Sequence, residues 1–272
     1  MSSGPRHENQ KKRERVFFIR AKLTSNRFSI KQSNIHSSSA FLDGEEHHHL
    51  SKVARIRLKE KVWLFDEQGT NYLARVEEIT KERTRLEIIE RQVTPEPRVK
   101  ITLAQALIKS KKMNSILQKA TELGVTTIIP VITARTVVSM EERAEKKLER
   151  WKKIIMAAAK QSKVNFLPSI SSPLKLEKLV EERHEARKLV LSEYRGKYLR
   201  DILVRDSGPA AEREGLPSSV IILVGPEGGW TSEEEKFILD HGYEAVSLGK
   251  QVLRAETASL SCLAMISHFW NS

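Results

Sequence analysis

Val220-Ile221-Ile222-Leu223-Val224 runs straight into Gly225-Pro226-Glu227-Gly228-Gly229, and Thr231 and Glu234 follow at the spacing of a helix capping box. Five consecutive apolar residues bounded by glycine and proline predict a buried strand. Thr231 with Glu234 predicts a helix over Thr231–Asp240, closed before Gly242. Strand, glycine turn and capped helix together are the repeating unit of a parallel α/β sheet. Ligands in such sheets bind beyond the carboxyl ends of the strands, often against a helix start. Glycines in the turn let the backbone approach a ligand closely, although a plain tight turn also accounts for them. The loop has no Lys-Ser or Lys-Thr pair to cradle phosphate, and its glycines lack the dinucleotide spacing. Its position is unusual as well. Only 43 residues follow Gly229, whereas a Rossmann-type enzyme carries its glycine loop after the first strand.

Working outward, the same alternation continues in both directions. Val99–Leu107, Ile128–Ile132 (weakened by Pro130), Leu189–Leu191 and Ala245–Leu248 read as strands. Met113, Ile116, Leu117 and Ala120 recur at helical spacing and stop at Gly124. Leu148, Trp151, Ile155 and Ala158 form the stripe of a long basic helix, and Thr257–Trp270 the last one. The expected fold from residue 98 to 272 is therefore an α/β domain with a largely parallel sheet.

Before it, Val16–Arg20, Val62–Asp66, Tyr72–Ile79 and Leu86–Ile89 are short strand-like runs with turn chemistry at Gln68-Gly69-Thr70-Asn71. They predict a small β domain over residues 16–93. Thr94-Pro95-Glu96-Pro97 suits a linker, because closely spaced prolines continue neither ladder nor helix. Residues 1–15 are polar and charged and read as a disordered tail without the apolar stretch of a secretory signal.

The chain has 272 residues, 39% hydrophobic and 30% charged, with no apolar run approaching the ~18 residues of a membrane helix. Cys262, the only cysteine, has no partner for a disulfide, which fits a reducing cytoplasm. The formal charge of +12 favours a polyanionic partner. His47-His48-His49 does not converge on one ion in a regular helix or strand, so no metal site is expected. Lys52, Arg55, Arg57, Lys59 and Lys61 follow it and suit phosphate contact, or an ordinary solvated face.

A second glycine segment, Leu248-Gly249-Lys250-Gln251-Val252-Leu253-Arg254-Ala255-Glu256-Thr257-Ala258, leads into the last helix. Arg254 carries a permanent charge and fixed donors suited to an anionic oxygen or a carboxylate. Glu256 favours the helix N-terminus electrostatically.

These two segments, late and in this order, resemble the SPOUT methyltransferases. From Arg15 onward, roughly nine-tenths of the chain is similar to the bacterial 16S ribosomal RNA uridine N3-methyltransferase family. The matching stretches include Arg15-Val16-Phe17-Phe18, His48-His49-Leu50, Leu64-Phe65-Asp66, Gln118–Val125, Arg150-Trp151, Gly225–Gly229 and Leu253–Ala258. Asn114, Ala54, Val164 and Glu60-Lys61 depart from the family pattern.

The resemblance implies a PUA-like β-barrel for RNA, then a SPOUT-type α/β domain with a C-terminal trefoil knot that holds S-adenosylmethionine, working as a homodimer. The knot comes from the resemblance alone, since unaided topology rules favour an unknotted sheet. By position it places the methyl donor against Leu191, Ser192 and Glu193, against Gly225, Pro226, Glu227 and Gly228, and against Leu248, Gly249, Val252, Leu253 and Arg254. Arg15, Lys52, Arg55, Arg57, Lys109, Lys112 and Arg135 are the candidate RNA contacts.

Uridine N3 carries a proton, so its methylation needs an aligned methyl group, a proton acceptor and stabilised charge on the uracil oxygens. Arg254 is the candidate for the charge, Glu256 for the proton with Glu227 as the alternative, and no metal is required. The expected substrate is ribosomal RNA in the assembled small subunit. A non-catalytic RNA-binding protein would explain the charge but leave both glycine segments idle. A SPOUT enzyme acting on another base is also compatible, whereas the missing phosphate-loop lysine disfavours a nucleotide-binding enzyme.

Overall fold

A computed structural model describes residues 26–136, 144–193, 196–207 and 215–271. The expected tail 1–15, the strand Val16–Arg20 and the RNA candidate Arg15 lie outside the described residues. The chain divides into two compact units between Glu96 and Pro97.

In the first unit, alternation of buried and less buried residues, the period of a half-buried sheet, is clearest along Ser39–Asp43 and Thr70–Ile79. The strands are β1 (Arg27–Ser29), β2 (Ile35–His36), β3 (Ser39–Asp43), β4 (Lys61–Phe65), β5 (Thr70–Ile79) and β6 (Arg83–Val93). They form one sheet in the order β1-β4-β5-β6-β3-β2, antiparallel except for the β1–β4 pair. Along β5, Thr70, Tyr72, Ala74 and Val76 are buried and the residues between them are not. Tyr72, Ala74 and Val76, with Phe28, Leu42, Leu50, Leu64 and Leu86, make the core of this unit. Two register shifts, at Leu73/Ala74 and Val76/Glu78, bend the long β5–β6 hairpin.

Sequence pattern alone locates only Leu86–Ile89 within β6. The strand runs on because Glu90, Arg91 and Gln92 pair with β5, a stretch too polar to read as a strand. The histidines stand on α1 (Gly44–His48) and the π-helical turn after it. His47 is buried with its Nδ1 2.8 Å from the Thr84 hydroxyl, and His49 packs edge-on against Phe28.

The second unit is an all-parallel sheet covered on both faces. Its strands are β7 (Lys100–Ala106), β8 (Thr127–Ile132), β9 (Ser169–Ile170), β10 (Leu174–Lys175), β11 (Arg187–Leu191), β12 (Lys197–Tyr198), β13 (Ser219–Val224) and β14 (Glu244–Ser247). Their order is β10-β8-β7-β13-β11-β14-β12, with β9 also on β8. Helices α2 (Ser110–Glu122), α3 (Ala144–Ser162), α5 (Leu199–Ser207) and α7 (Ala255–Asn271) contribute to the core on one face. Helices α4 (Leu176–Glu182) and α6 (Ser232–Asp240) contribute to the core on the other.

The decisive strand β13 shows why an unbroken apolar run was needed. Val220, Ile222 and Val224 enter the first core, while Ile221 and Leu223 enter the second. Pro130 does not interrupt β8; it pairs in register with Gln105 of β7. Among the described residues, no helix is long and apolar enough to cross a membrane.

Chain order and sheet order differ at the place that matters. Strand β13 comes late in the chain yet lies between β7 and β11, and β14 lies between β11 and β12. The carboxyl ends of β13, β11 and β14 therefore stand side by side.

Candidate functional site

Three loops leave those neighbouring strand ends and enclose a cavity of about 550 Å³. The glycine loop after β13 is a tight turn in which the Gly229 amide donates to the Pro226 carbonyl at 3.0 Å and Gly229 takes φ +68°. A side chain on Gly225 would meet the Trp230 ring at 3.2 Å, so its absence lets that ring lie across the loop. The indole of Trp230 donates to the Leu191 carbonyl at 3.2 Å, joining the first loop to the end of β11.

The predicted capping box is present at the start of α6. The Glu234 amide donates to the Thr231 hydroxyl at 3.1 Å, and the Thr231 amide to the Glu234 carboxylate at 2.9 Å. Arg135, just beyond β8, donates from its guanidinium to the carbonyl oxygens of Gly228 and Trp230, the latter at 3.1 Å.

The loop after β11 is held by the Ser192 amide on the Val246 carbonyl at 3.0 Å. The Ser192 hydroxyl donates to Glu235 of α6, also at 3.0 Å. In the third loop the Ser247 hydroxyl bonds both the amide and the carbonyl of Gly249, which has φ +150°. That loop delivers Arg254 to the start of α7, where its carbonyl accepts the first helical amide, from Ala258, at 2.8 Å.

All twelve residues anticipated for the methyl donor, from Leu191 to Arg254, line this one cavity. Arg254 is exposed on its wall, and its guanidinium makes no hydrogen bond or ion pair with a described residue. Glu256 is not on the wall; it lies behind, 3.4 Å from Lys112. The Lys112 ammonium also bonds Glu227 at 3.1 Å, and this hydrogen bond, against the cost of burial, holds its pKa above the usual lysine value.

The other RNA candidates are dispersed. Lys52, Arg55 and Arg57 belong to the turn between α1 and β4 in the first unit, where Arg55 adopts φ +52°. Lys109 is exposed just ahead of α2. Arg135 is a wall residue of the cavity rather than a remote surface cation. Of the departures from the family pattern, Asn114 carries a buried Oδ1 without a partner.

Trp230, Glu235, Ser247 and Gln251 also line the cavity and were not singled out from sequence. Trp230 and Glu235 could have been, since Trp230 directly follows the glycine loop and Glu235 lies in the first turn of the capped helix. Trp270, at the end of the last helix, is 1% exposed and belongs to the chain's own core. Phe269 remains 39% exposed.

The wall combines the apolar side chains of Leu191, Val224, Leu248 and Leu253 with the carboxylates of Glu193, Glu227 and Glu235. The backbone of Gly225 and Gly228, whose missing side chains make room for Trp230 and Arg135, completes the lining. With the guanidinium groups of Arg135 and Arg254 beside the three carboxylates, such a lining fits a nucleoside-sized organic ligand with charged groups, and it lacks the lysine of a phosphate cradle.

Comparison with known proteins agrees with this geometry. An RNA methyltransferase domain model matches residues 94–267, and an RNA methyltransferase PUA domain model matches residues 42–89. The chain is 30% identical to ribosomal RNA small subunit methyltransferase E of Synechocystis, over 89% of this chain and 77% of that one. It is 32% identical to the protein of the same name from Bacillus subtilis, over 84% and 89%. The crystal structure of the Neisseria gonorrhoeae ribosomal RNA small subunit methyltransferase E bound to S-adenosylmethionine superposes with a TM-score of 0.79. The two are 34% identical, covering 90% of this chain and 98% of that one. A methyltransferase of Legionella pneumophila in complex with the same cofactor gives 0.78 at 32% identity, over 89% and 96%.

Proposed function

The chain belongs to the ribosomal RNA small subunit methyltransferase E family, and from that premise we propose that it methylates small-subunit ribosomal RNA at N3 of a uridine, using S-adenosylmethionine. The observation that carries this reading is the convergence of three loops, from β11, β13 and β14, on one cavity.

S-adenosylmethionine supplies an electrophilic methyl group already activated as a sulfonium, so the proposed reaction uses no metal. The chain's own contribution is placement and charge. The glycine loop at Gly225 and Gly228 and the apolar side chains of Leu191 and Leu253 hold the donor and exclude water. Arg254, free of other described partners, orients the uracil and offsets the charge that develops on its oxygens. As the N3–carbon bond forms and the carbon–sulfur bond breaks, the N3 proton passes to a carboxylate. Glu227, which lines the cavity, is the candidate acceptor, and Glu256, set behind the wall, holds it through their shared Lys112.

The PUA-like unit, with Lys52, Arg55 and Arg57, engages RNA phosphates together with Lys109. The substrate is the assembled subunit in the cytoplasm, and the enzyme acts as a homodimer. The late strands β13 and β14, set between strands laid down earlier, are compatible with the trefoil knot of SPOUT enzymes. We also assign Arg15, outside the described residues, to RNA contact. Mass spectrometry of ribosomal RNA from cells lacking the protein should show one missing N3-methyluridine, restored by adding the purified chain to their small subunits. Unchanged RNA would overturn the reading.

A further inference from the structure

Lys112 in the first turn of α2, Glu227 in the glycine loop and Glu256 in the first turn of α7 meet at one point. The ammonium lies 3.1 Å from Glu227 and 3.4 Å from Glu256. Glu256 also has a buried Oε2 without a hydrogen-bond partner. Of these three residues only Glu227 faces the cavity. Among the described residues of the wall there are three carboxylates, Glu193, Glu227 and Glu235, against two arginines, Arg135 and Arg254. Arg135 is already committed to loop carbonyls. One further cation, set against a wall carboxylate from behind, therefore decides how negative the cavity is.

We propose that Lys112 is a positioning residue that ties Glu227 to the start of the last helix and offsets its charge, thereby limiting the cavity's preference for the cationic donor over the neutral product. This rests on the reading of the cavity as the donor site. Methyl transfer turns a sulfonium into a neutral thioether, so a bare carboxylate nearby attracts the donor and not the product. A lysine paired with that carboxylate reduces the difference and lets spent product be retained or exchanged on comparable terms. The raised pKa of Lys112 keeps it charged throughout the neutral range.

The test is calorimetric titration of the full chain with S-adenosylmethionine and, separately, with S-adenosylhomocysteine. Lys112→Met should raise the donor-over-product preference roughly fivefold, the size of one partly screened charge interaction, and the gain should shrink as salt is added. Lys112→Arg should keep the wild-type ratio. In the background of Glu227→Gln, Lys112→Met should change the ratio far less. If Lys112→Met weakens both ligands equally, Lys112 is only a clamp between loops and the proposal fails while the donor site stands. If the wild-type chain binds neither ligand, the donor reading falls and takes this proposal with it.

Discussion

The buried carboxylate of Glu234 accepts the backbone amide of Ala134 at 2.7 Å, tying the start of α6 to the segment beyond β8. Its second oxygen caps Thr231, so one side chain serves both the helix and the cavity wall. The residue after Ala134 is Arg135, which grips the glycine loop. Glu234→Ala removes an acceptor from two amides and should cost about 1–3 kcal/mol. Urea denaturation checks this; an unchanged midpoint would show that water replaces the carboxylate without loss.

Gly228 should tolerate no bulk. A Cβ there would stand 3.3 Å from Cδ of Arg135, so valine must push that side chain off the loop carbonyls or project into the cavity. Gly228→Val is expected to abolish donor binding in calorimetry while thermal melting stays close to wild type. Gly196→Ala is different. Its Cβ would sit 2.2 Å from the Ala245 carbonyl oxygen, at a φ of +111°, and should destabilise the β12–β14 edge by about 2–4 kcal/mol. Normal donor binding by Gly228→Val would mean that the pocket is misplaced.

Arg254 is exposed and unpaired among the described residues, so its removal should leave folding intact. Arg254→Ala is expected to lower single-turnover methylation of small ribosomal subunits by two or more orders of magnitude, with circular dichroism unchanged. A wild-type rate would make Arg254 a structural residue.

RNA binding should depend steeply on salt. With roughly six phosphates contacted, affinity should drop about a thousandfold between low and moderate salt. Replacing Lys52, Arg55 and Arg57 together should flatten the slope of that dependence. Filter binding across a salt series gives the slope, and an unchanged slope would remove these three from the RNA surface.

Light scattering at micromolar concentration should report a dimer. Phe269, 39% exposed near the end of α7, is one apolar side chain available to such an interface, whereas Trp270 is buried. A fully active monomer would overturn the assignment.

Sequence by itself determined the layering of the second unit. Val220–Val224 has no polar alternation, which only a strand covered on both faces can accommodate. Thr231 and Glu234 announce the next helix because a capping box is local, involving residues three apart. The resemblance carried by Gly225–Gly229 and Leu253–Ala258 also gathered in advance twelve of the residues that line the cavity.

Tertiary structure decided everything that depends on distant segments meeting. That Glu234 also receives Ala134, that Arg135 serves the glycine loop and that Lys112 joins Glu227 to Glu256 follow from β13 inserting between β7 and β11. No periodicity marks such pairs. Two-residue strands such as β12 are too short to show a period at all. Trp270 marks the same boundary: an apolar residue at a helix end suits a core or an interface equally, and only packing, which depends on the whole chain, selects between them.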